Sequence, residues 1–229
     1  MTLVEDYGLD SPPRTLLLLA LSINDCNHEK AMDKLHIQKV IRFFEQLRQK
    51  KEIDFSNFKL GGVSYELEEN KEALIEYELI EPTDGCYTLT DEGDEAAKLL
   101  KQTFDKEDFG KLVYAKQLLN DLPGDELLFF MYKTIPETQK HSTEVPRLER
   151  KAERLVKDLF RRRKIDVATA AKWLGISPND FAKKFSKKTL STEIQKALIE
   201  GYQQNADDDL AIAKDLEQID HELDQECDM

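Results

Sequence analysis

The chain has little of what covalent bracing, membrane insertion or common catalysis requires. Its 229 residues include three cysteines, Cys26, Cys86 and Cys227, odd in number and far apart, which argues against a disulfide framework and for reduced thiols. The apolar run Thr15–Ile23, TLLLLALSI, falls well short of the roughly 20 residues that span a bilayer. The acidic opening MTLVEDYGLDSPPR has no cationic start of a secretory signal, so a cytoplasmic, soluble protein is expected. There is no glycine-rich phosphate loop, no HExxH and no GxSxG, which removes the usual signatures of phosphoryl transfer, zinc proteolysis and serine hydrolysis. Cys26, His28 and His36 are metal-capable, but no second cysteine pair stands at zinc spacing, so neither a metal nor a cofactor is expected. Acid pairs are plentiful only because acids are plentiful, and they single out no general acid or base.

Positive charge is also in short supply, with 33 Lys and Arg against 46 Asp and Glu. What there is has been gathered in one place. Arg147–Lys188 holds 14 cations against 5 acids, whereas Glu200–Asp228 holds 11 acids against one lysine. A partner meeting only the first segment would encounter positive charge in spite of the chain's formal net charge of −13.

With 34% charged and 40% hydrophobic residues, the composition allows helical cores under a charged exterior, and the length allows two modules. RTLLLLALSIND is apolar nearly all round and reads as a buried helix. MDKLHIQKVIRFFEQLRQKK sets Leu35, Val40, Phe43, Phe44 and Leu47 at helical spacing, a second core helix. IDFSNFKLGG reads as an extended connection. Ser64 starts a third helix whose apolar side carries Leu67, Leu74, Ile75, Leu79 and Ile80, while Glu66, Glu68, Glu69, Glu72, Glu76 and Glu78 crowd the rest. Asp84-Gly85 then suits a tight hairpin turn between Leu79-Ile80 and Tyr87-Thr88-Leu89, and Thr90 caps the next helix.

This order of helices, an acid-flanked helix and a hairpin ending YTLTDEG resembles a prokaryotic winged helix-turn-helix domain. More narrowly, FKLGGVSYELEENKEALIEYELIE is similar to a segment of archaeal winged-helix proteins related to the Panacea (SocA-like) antitoxin domain, with Gly62 standing where the family has a turn proline. The likeness covers about the first 100 residues and implies a regulatory or antitoxin role. Its third helix, however, offers glutamates where a major-groove helix would offer Lys, Arg or neutral polar groups. A protein-contacting or structural role is therefore expected for this part, direct DNA contact being the alternative.

DFGKLVYAKQLLNDLPGDELLFFMYKTIPE supplies two further amphipathic helices separated by Pro123-Gly124, and TQKHSTEVPR is the expected boundary to the basic region. There, LERKAERLVKDLFRRRK puts Leu148, Leu155, Val156, Leu159 and Phe160 on one face and cations on the other. Asp166 caps VATAAKWLG, Gly175 ends it, and Ser177-Pro178-Asn179-Asp180 opens the next helix with a capping box. Lys164, Ile165, Asp166, Ala170, Ala171, Gly175, Ile176 and Ser177 are similar to the K-I-[SD]-x-x-x-A-A-x-x-x-G-[IM]-S core of a short prokaryotic antitoxin-like family, a likeness over about 35 residues that implies a small regulatory helical module. The expected nucleic-acid contacts are Arg161, Arg162, Arg163, Lys164, Lys172, Asn179, Lys183, Lys184, Lys187 and Lys188. The plainer alternative is a solvated basic face on an ordinary helical hairpin.

In the acidic tail, Ile212, Leu216, Ile219 and Leu223 form one apolar stripe that would close its own domain, pair with a second copy or hold another protein. The expected fold is mainly α: a winged helix-turn-helix with a small β-hairpin over 1–104, a helical extension and linker over 105–145, an all-α helix-turn-helix module over 146–200 and an acidic helical tail over 201–229. The expected function is that of a DNA-binding transcription regulator or antitoxin-like protein, with DNA, a toxin or other protein, or a second copy as partners and no membrane. An adaptor meeting an acidic protein surface comes second, and an unrecognised nuclease or other enzyme third.

Overall fold

The computed structural model describes residues 7–58 and 60–186, which fall into two compact units divided between Gly175 and Ile176. The fold is mainly α with small antiparallel sheets. In the first unit, α1 (Pro12–Ser22) leads through β1 (Met32–Asp33) into α2 (Lys34–Arg48). A two-stranded hairpin follows, β2 (Ser56–Phe58) on β3 (Gly61–Val63), and then α3 (Tyr65–Glu76). Next come the hairpin β4 (Ile80–Thr83) and β5 (Cys86–Leu89), α4 (Asp91–Thr103), α5 (Lys106–Leu119) and α6 (Gly124–Thr134). A 3-10 turn at Pro136–Gln139 leads to α7 (Val145–Glu149), α8 (Ala152–Arg161) and α9 (Val167–Leu174). The described part of the second unit contains α10 (Pro178–Ser186).

Local chemistry sets most of these boundaries. Asp33, Ser64, Thr90, Asp105 and Asp166 each cap a helix by accepting a backbone N–H two or three residues into it. Asp84 and Gly85 both take positive φ, 52° and 80°, the backbone a two-residue hairpin turn needs. The β4–β5 pair runs from Ile80↔Leu89 to Thr83↔Cys86, and β1 adds to β5 through Met32↔Tyr87, giving the order β1-β5-β4.

The core forms around α1 and α2. Leu16 to Leu21 of α1 are all buried, as the apolar run predicts, against α3 and α4. α2 lies along α5 and also meets α6. Val40, Phe43 and Phe44 are buried as expected, whereas Leu35 and Leu47 are only half-buried. Four polar side chains of α2, Gln38, Lys39, Glu45 and Arg48, are buried instead. Each serves the backbone or charges of a neighbouring segment. Gln38 accepts from Ser64 N at 2.8 Å and donates to Ser64 O at 3.0 Å. Lys39 Nζ donates to Gly62 O at 2.8 Å, and Glu45 accepts from the N–H groups of Glu52 and Ile53 at 2.7 and 2.9 Å. Arg48 pairs with Glu52 and lies 3.6 Å from Asp108. These bonds fasten residues 52–64 to the central helix, since buried backbone groups must find partners once water is gone.

The compact units divide at 175/176, which keeps α7, α8 and α9 in the first unit. The reason is apolar burial: Leu148, Leu155, Val156 and Leu159 are each 1% exposed or less, and α7 and α8 pack on α6, with α9 on α8. Each such side chain contributes about 1.5–3 kcal/mol before ordering costs. No helix among the described residues is long and apolar enough to cross a membrane.

Candidate nucleic-acid interface

Four cations of the basic segment, Arg147, Lys151, Arg162 and Lys164, pair with acids of the chain. The turn from α5 to α6, NDLPGDE, presents Asp121, Asp125 and Glu126 to it. Arg147 grips Asp125 with two nitrogens, Nη1 to Oδ2 at 2.8 Å and Nη2 to Oδ1 at 2.6 Å, and also donates from Nε to Glu144 at 2.6 Å. Lys151 adds a bond to Asp125 Oδ2 at 2.9 Å. Together the hydrogen bonds from Arg147 and Lys151 hold the Asp125 carboxyl down at about 2. Lys133 pairs with Glu149 at 2.8 Å. Arg162 Nε reaches Glu126 Oε2 at 3.2 Å; burial, helped by the charges of Asp158 and Asp121, still pushes the Glu126 carboxyl up, because Arg162 and Arg154 only partly offset it.

The sequence-derived contacts therefore separate. Lys164 is turned inward: its side chain is 8% exposed, its Nζ lies 2.6 Å from Asp121 and it donates to Gln117 O at 2.8 Å. Its charge is committed to joining the 163–166 turn to the end of α5, a tertiary pairing that the run of four cations does not disclose. Arg161, Arg162 and Arg163 are exposed at the end of α8, and Lys172 is exposed on α9. Arg163 has left-handed backbone, φ 57°, and closes the helix by donating from N to Phe160 O at 2.9 Å while Lys164 N donates to Leu159 O at 3.0 Å.

In the second unit, Asn179, Lys183 and Lys184 are exposed on α10. Ser177 and Asp180 form the expected capping box, with Asp180 N donating to Ser177 Oγ at 3.1 Å and Ser177 Oγ donating to Asp180 Oδ2 at 2.7 Å. The rings of Phe181 and Phe185 lie 4.6 Å apart. Lys187 and Lys188, and the tail stripe of Ile212, Leu216, Ile219 and Leu223, lie outside the described residues.

One feature escapes the sequence reading. The 163–166 turn, α9, α2, α5 and α6 enclose an open cleft of about 510 Å³. Phe43, Tyr114, Phe130 and Trp173 contribute rings to it, and Lys133, Arg163 and Lys172 contribute cations. Trp173 stands edge-on to Phe129 and Phe130 at 5.9 and 5.7 Å, Phe43 lies 6.5 Å from Tyr114, and Tyr114 is 54% exposed. Four separate helices supply these rings, so no local spacing reveals the cleft. The available signal is a lone tryptophan next to a lysine inside the basic segment.

The histidine and cysteine group near residue 26 is dispersed. His36 Nδ1 lies 2.9 Å from Asp33 Oδ1 and Nε2 lies 2.9 Å from Leu122 O, and Cys26, a free and exposed thiol, accepts from Lys164 Nζ at 3.8 Å. Two acceptors flank the ring of His36: burial opposes its charge, but the Asp33 carboxylate outweighs this and raises its pKa.

Comparison with protein-family models, with curated proteins and with solved structures finds no match.

Proposed function

We propose that the protein is a nucleic-acid-binding regulator of the antitoxin type, with contacts from exposed cations of its basic segment, Arg163 and Lys172 among them, and its acidic amino-terminal part, a winged helix, serving assembly. The observation that carries this reading is the exposed pair Arg163 and Lys172, which line one cleft and have no ion-pair partner among the described residues while their neighbours Lys164 and Arg162 do. Phosphate would supply the missing counter-charge. The order β1, α2, α3 and the β4–β5 hairpin, with β1 on β5, supports the winged-helix assignment, the β2–β3 hairpin being an insertion between α2 and α3. Glu66, Glu69, Glu72 and Glu76 are exposed on α3, and such a row repels a phosphate backbone, which favours protein contact there.

The test is fluorescence anisotropy of a labelled duplex with the full chain across a salt series. Binding should weaken steeply with salt, and Arg163→Ala with Lys172→Ala should reduce the logarithmic slope by about two, one for each lost phosphate contact. Charge removal on α3, Glu69→Gln with Glu72→Gln, should not weaken binding. Absence of salt-dependent binding by the full chain would reject the reading in favour of an adaptor. That second reading has its own support, because the basic segment already holds Asp121, Asp125, Glu126 and Glu144 of this chain.

A further inference from the structure

The cleft beside Arg163 combines two recognition chemistries that are usually wanted together. Its volume, about 510 Å³, lies within the roughly 300–1,000 Å³ of small-molecule sites. It has an aromatic lining that includes the exposed ring of Tyr114, and two cations, Arg163 and Lys172, without an ion pair among the described residues. The other lysines on the cleft are occupied, Lys133 by Glu149 and Lys164 by Asp121. The acid among the lining residues, Asp166, is engaged by the Thr169 N–H at 2.6 Å. A ligand that fits must be flat, to spread over a ring, and anionic, to answer two cations. A duplex offers phosphates but keeps its bases stacked inside, so it would use the cations and leave the rings idle.

We infer that this cleft binds one nucleoside monophosphate unit, its base stacked on Tyr114 and its phosphate held by Arg163 and Lys172. The unit is either a free nucleotide or an unstacked nucleotide of a single strand, since both present the same base and phosphate. The choice of a nucleotide rests on the nucleic-acid reading above, but the cleft can be tested apart from it.

Trp173 is the chain's only tryptophan, so its indole N–H gives a single resonance that reports on the cleft. The full-length protein is titrated with adenosine monophosphate, adenosine, ribose 5-phosphate and a short single-stranded oligoadenylate. The monophosphate should shift the resonance saturably, with adenosine and ribose phosphate at least about tenfold weaker because each lacks one of the two contacts. A much tighter oligoadenylate would identify the strand as the source, and equal or weaker binding per nucleotide the free nucleotide. Tyr114→Ala, at an exposed position, should cost about tenfold in affinity.

Arg163→Gly separates binding from folding. Like Gln49 and Glu78, Arg163 closes a helix with left-handed backbone, so the conformation alone assigns nothing, but glycine there should raise the melting temperature by about 2 °C. The same change should lower nucleotide affinity about tenfold. No shift of the Trp173 resonance by the monophosphate or the oligoadenylate up to about 10 mM, or full affinity in both Tyr114→Ala and Arg163→Gly, would overturn the inference. Salt-dependent duplex binding without a nucleotide response would sink this inference and leave the broader reading standing. A response to the free nucleotide alone, with neither duplex binding nor tighter oligoadenylate binding, would do the reverse.

Discussion

Arg147 holds Asp125 through two parallel bonds, 2.8 and 2.6 Å long, across 22 residues of sequence. The pair joins α7 to the start of α6, and Lys151 shares the same carboxylate. It shows one use of a concentrated basic segment in an acidic protein: Arg147, Lys151, Arg162 and Lys164 tie the segment to acids of its own fold.

Asp125→Asn should therefore loosen the docking of α7 and α8. The folded carboxyl stands at about 2 against an ordinary 3.8. Its contribution is thus present above about pH 4 and lost as pH falls towards 2. With the side chain 29% exposed, solvent screening reduces that contribution to on the order of 1 kcal/mol. Urea unfolding should show the variant weaker than the parent by this amount at pH 7, with the gap closing by about pH 2. An equal gap at both pH values would mean that the bond acts by shape and not by charge.

Lys116 gives the opposite edge of the pH range. Its buried Nζ donates to Ala20 O at 2.8 Å and Lys30 O at 2.6 Å, and burial pulls it down to about 7, with Asp25 partly restoring the charge and Lys30 opposing it. An unfolded lysine binds its proton up to about 10.5, so the unfolded state holds more protons between about pH 7 and 10.5. Stability contributed by this group accordingly rises over that window. Lys116→Met should flatten the rise, measured as urea midpoints at pH 7 and 9.5.

Gly93 in the first turn of α4 has no room for a side chain, because an added Cβ would fall 2.0 Å from Leu79 O. Gly93→Ala should destabilise by about 2–4 kcal/mol, since the obstacle is backbone and the β4 entrance would have to move. Thermal unfolding of the variant would reveal it, and a change below about 0.5 kcal/mol would show that α4 is free to shift. Gly85 makes a useful contrast: an added Cβ there meets nothing within 4 Å, but its φ of 80° would still strain an alanine.

Lys164→Met distinguishes the inward cation from the outward ones. Removing it leaves the half-buried Asp121 without its ion pair, which should cost about 1–3 kcal/mol of stability. At a temperature where the variant stays folded, nucleic-acid affinity should change much less than in Lys172→Ala. A larger loss of affinity than Lys172→Ala would restore Lys164 to the contact surface.

The chain's local grammar was legible from residue order. Helix starts at Ser64, Thr90, Asp166 and Ser177, the Asp84-Gly85 turn, the buried face of α1 and the apolar face of α8 all follow from interactions within a few residues, and periodicity or capping chemistry reports them directly. What tertiary structure alone decided is where polar residues go. Gln38, Lys39 and Glu45 look like the wet side of a helix, yet the 52–64 segment folds over them and their hydrogen bonds close its backbone. Lys164 and Arg162 read like Arg163 in a run of cations, but Asp121 and Glu126 lie beside two of them and not the third. The rings of Phe43, Tyr114, Phe130 and Trp173 meet only because α2, α5, α6 and α9 converge. Hydrophobic patterning records which side chains leave water, whereas a charge or hydrogen-bonding group is assigned by whichever partner the folded chain brings within about 3 Å, and that partner lies far away in sequence.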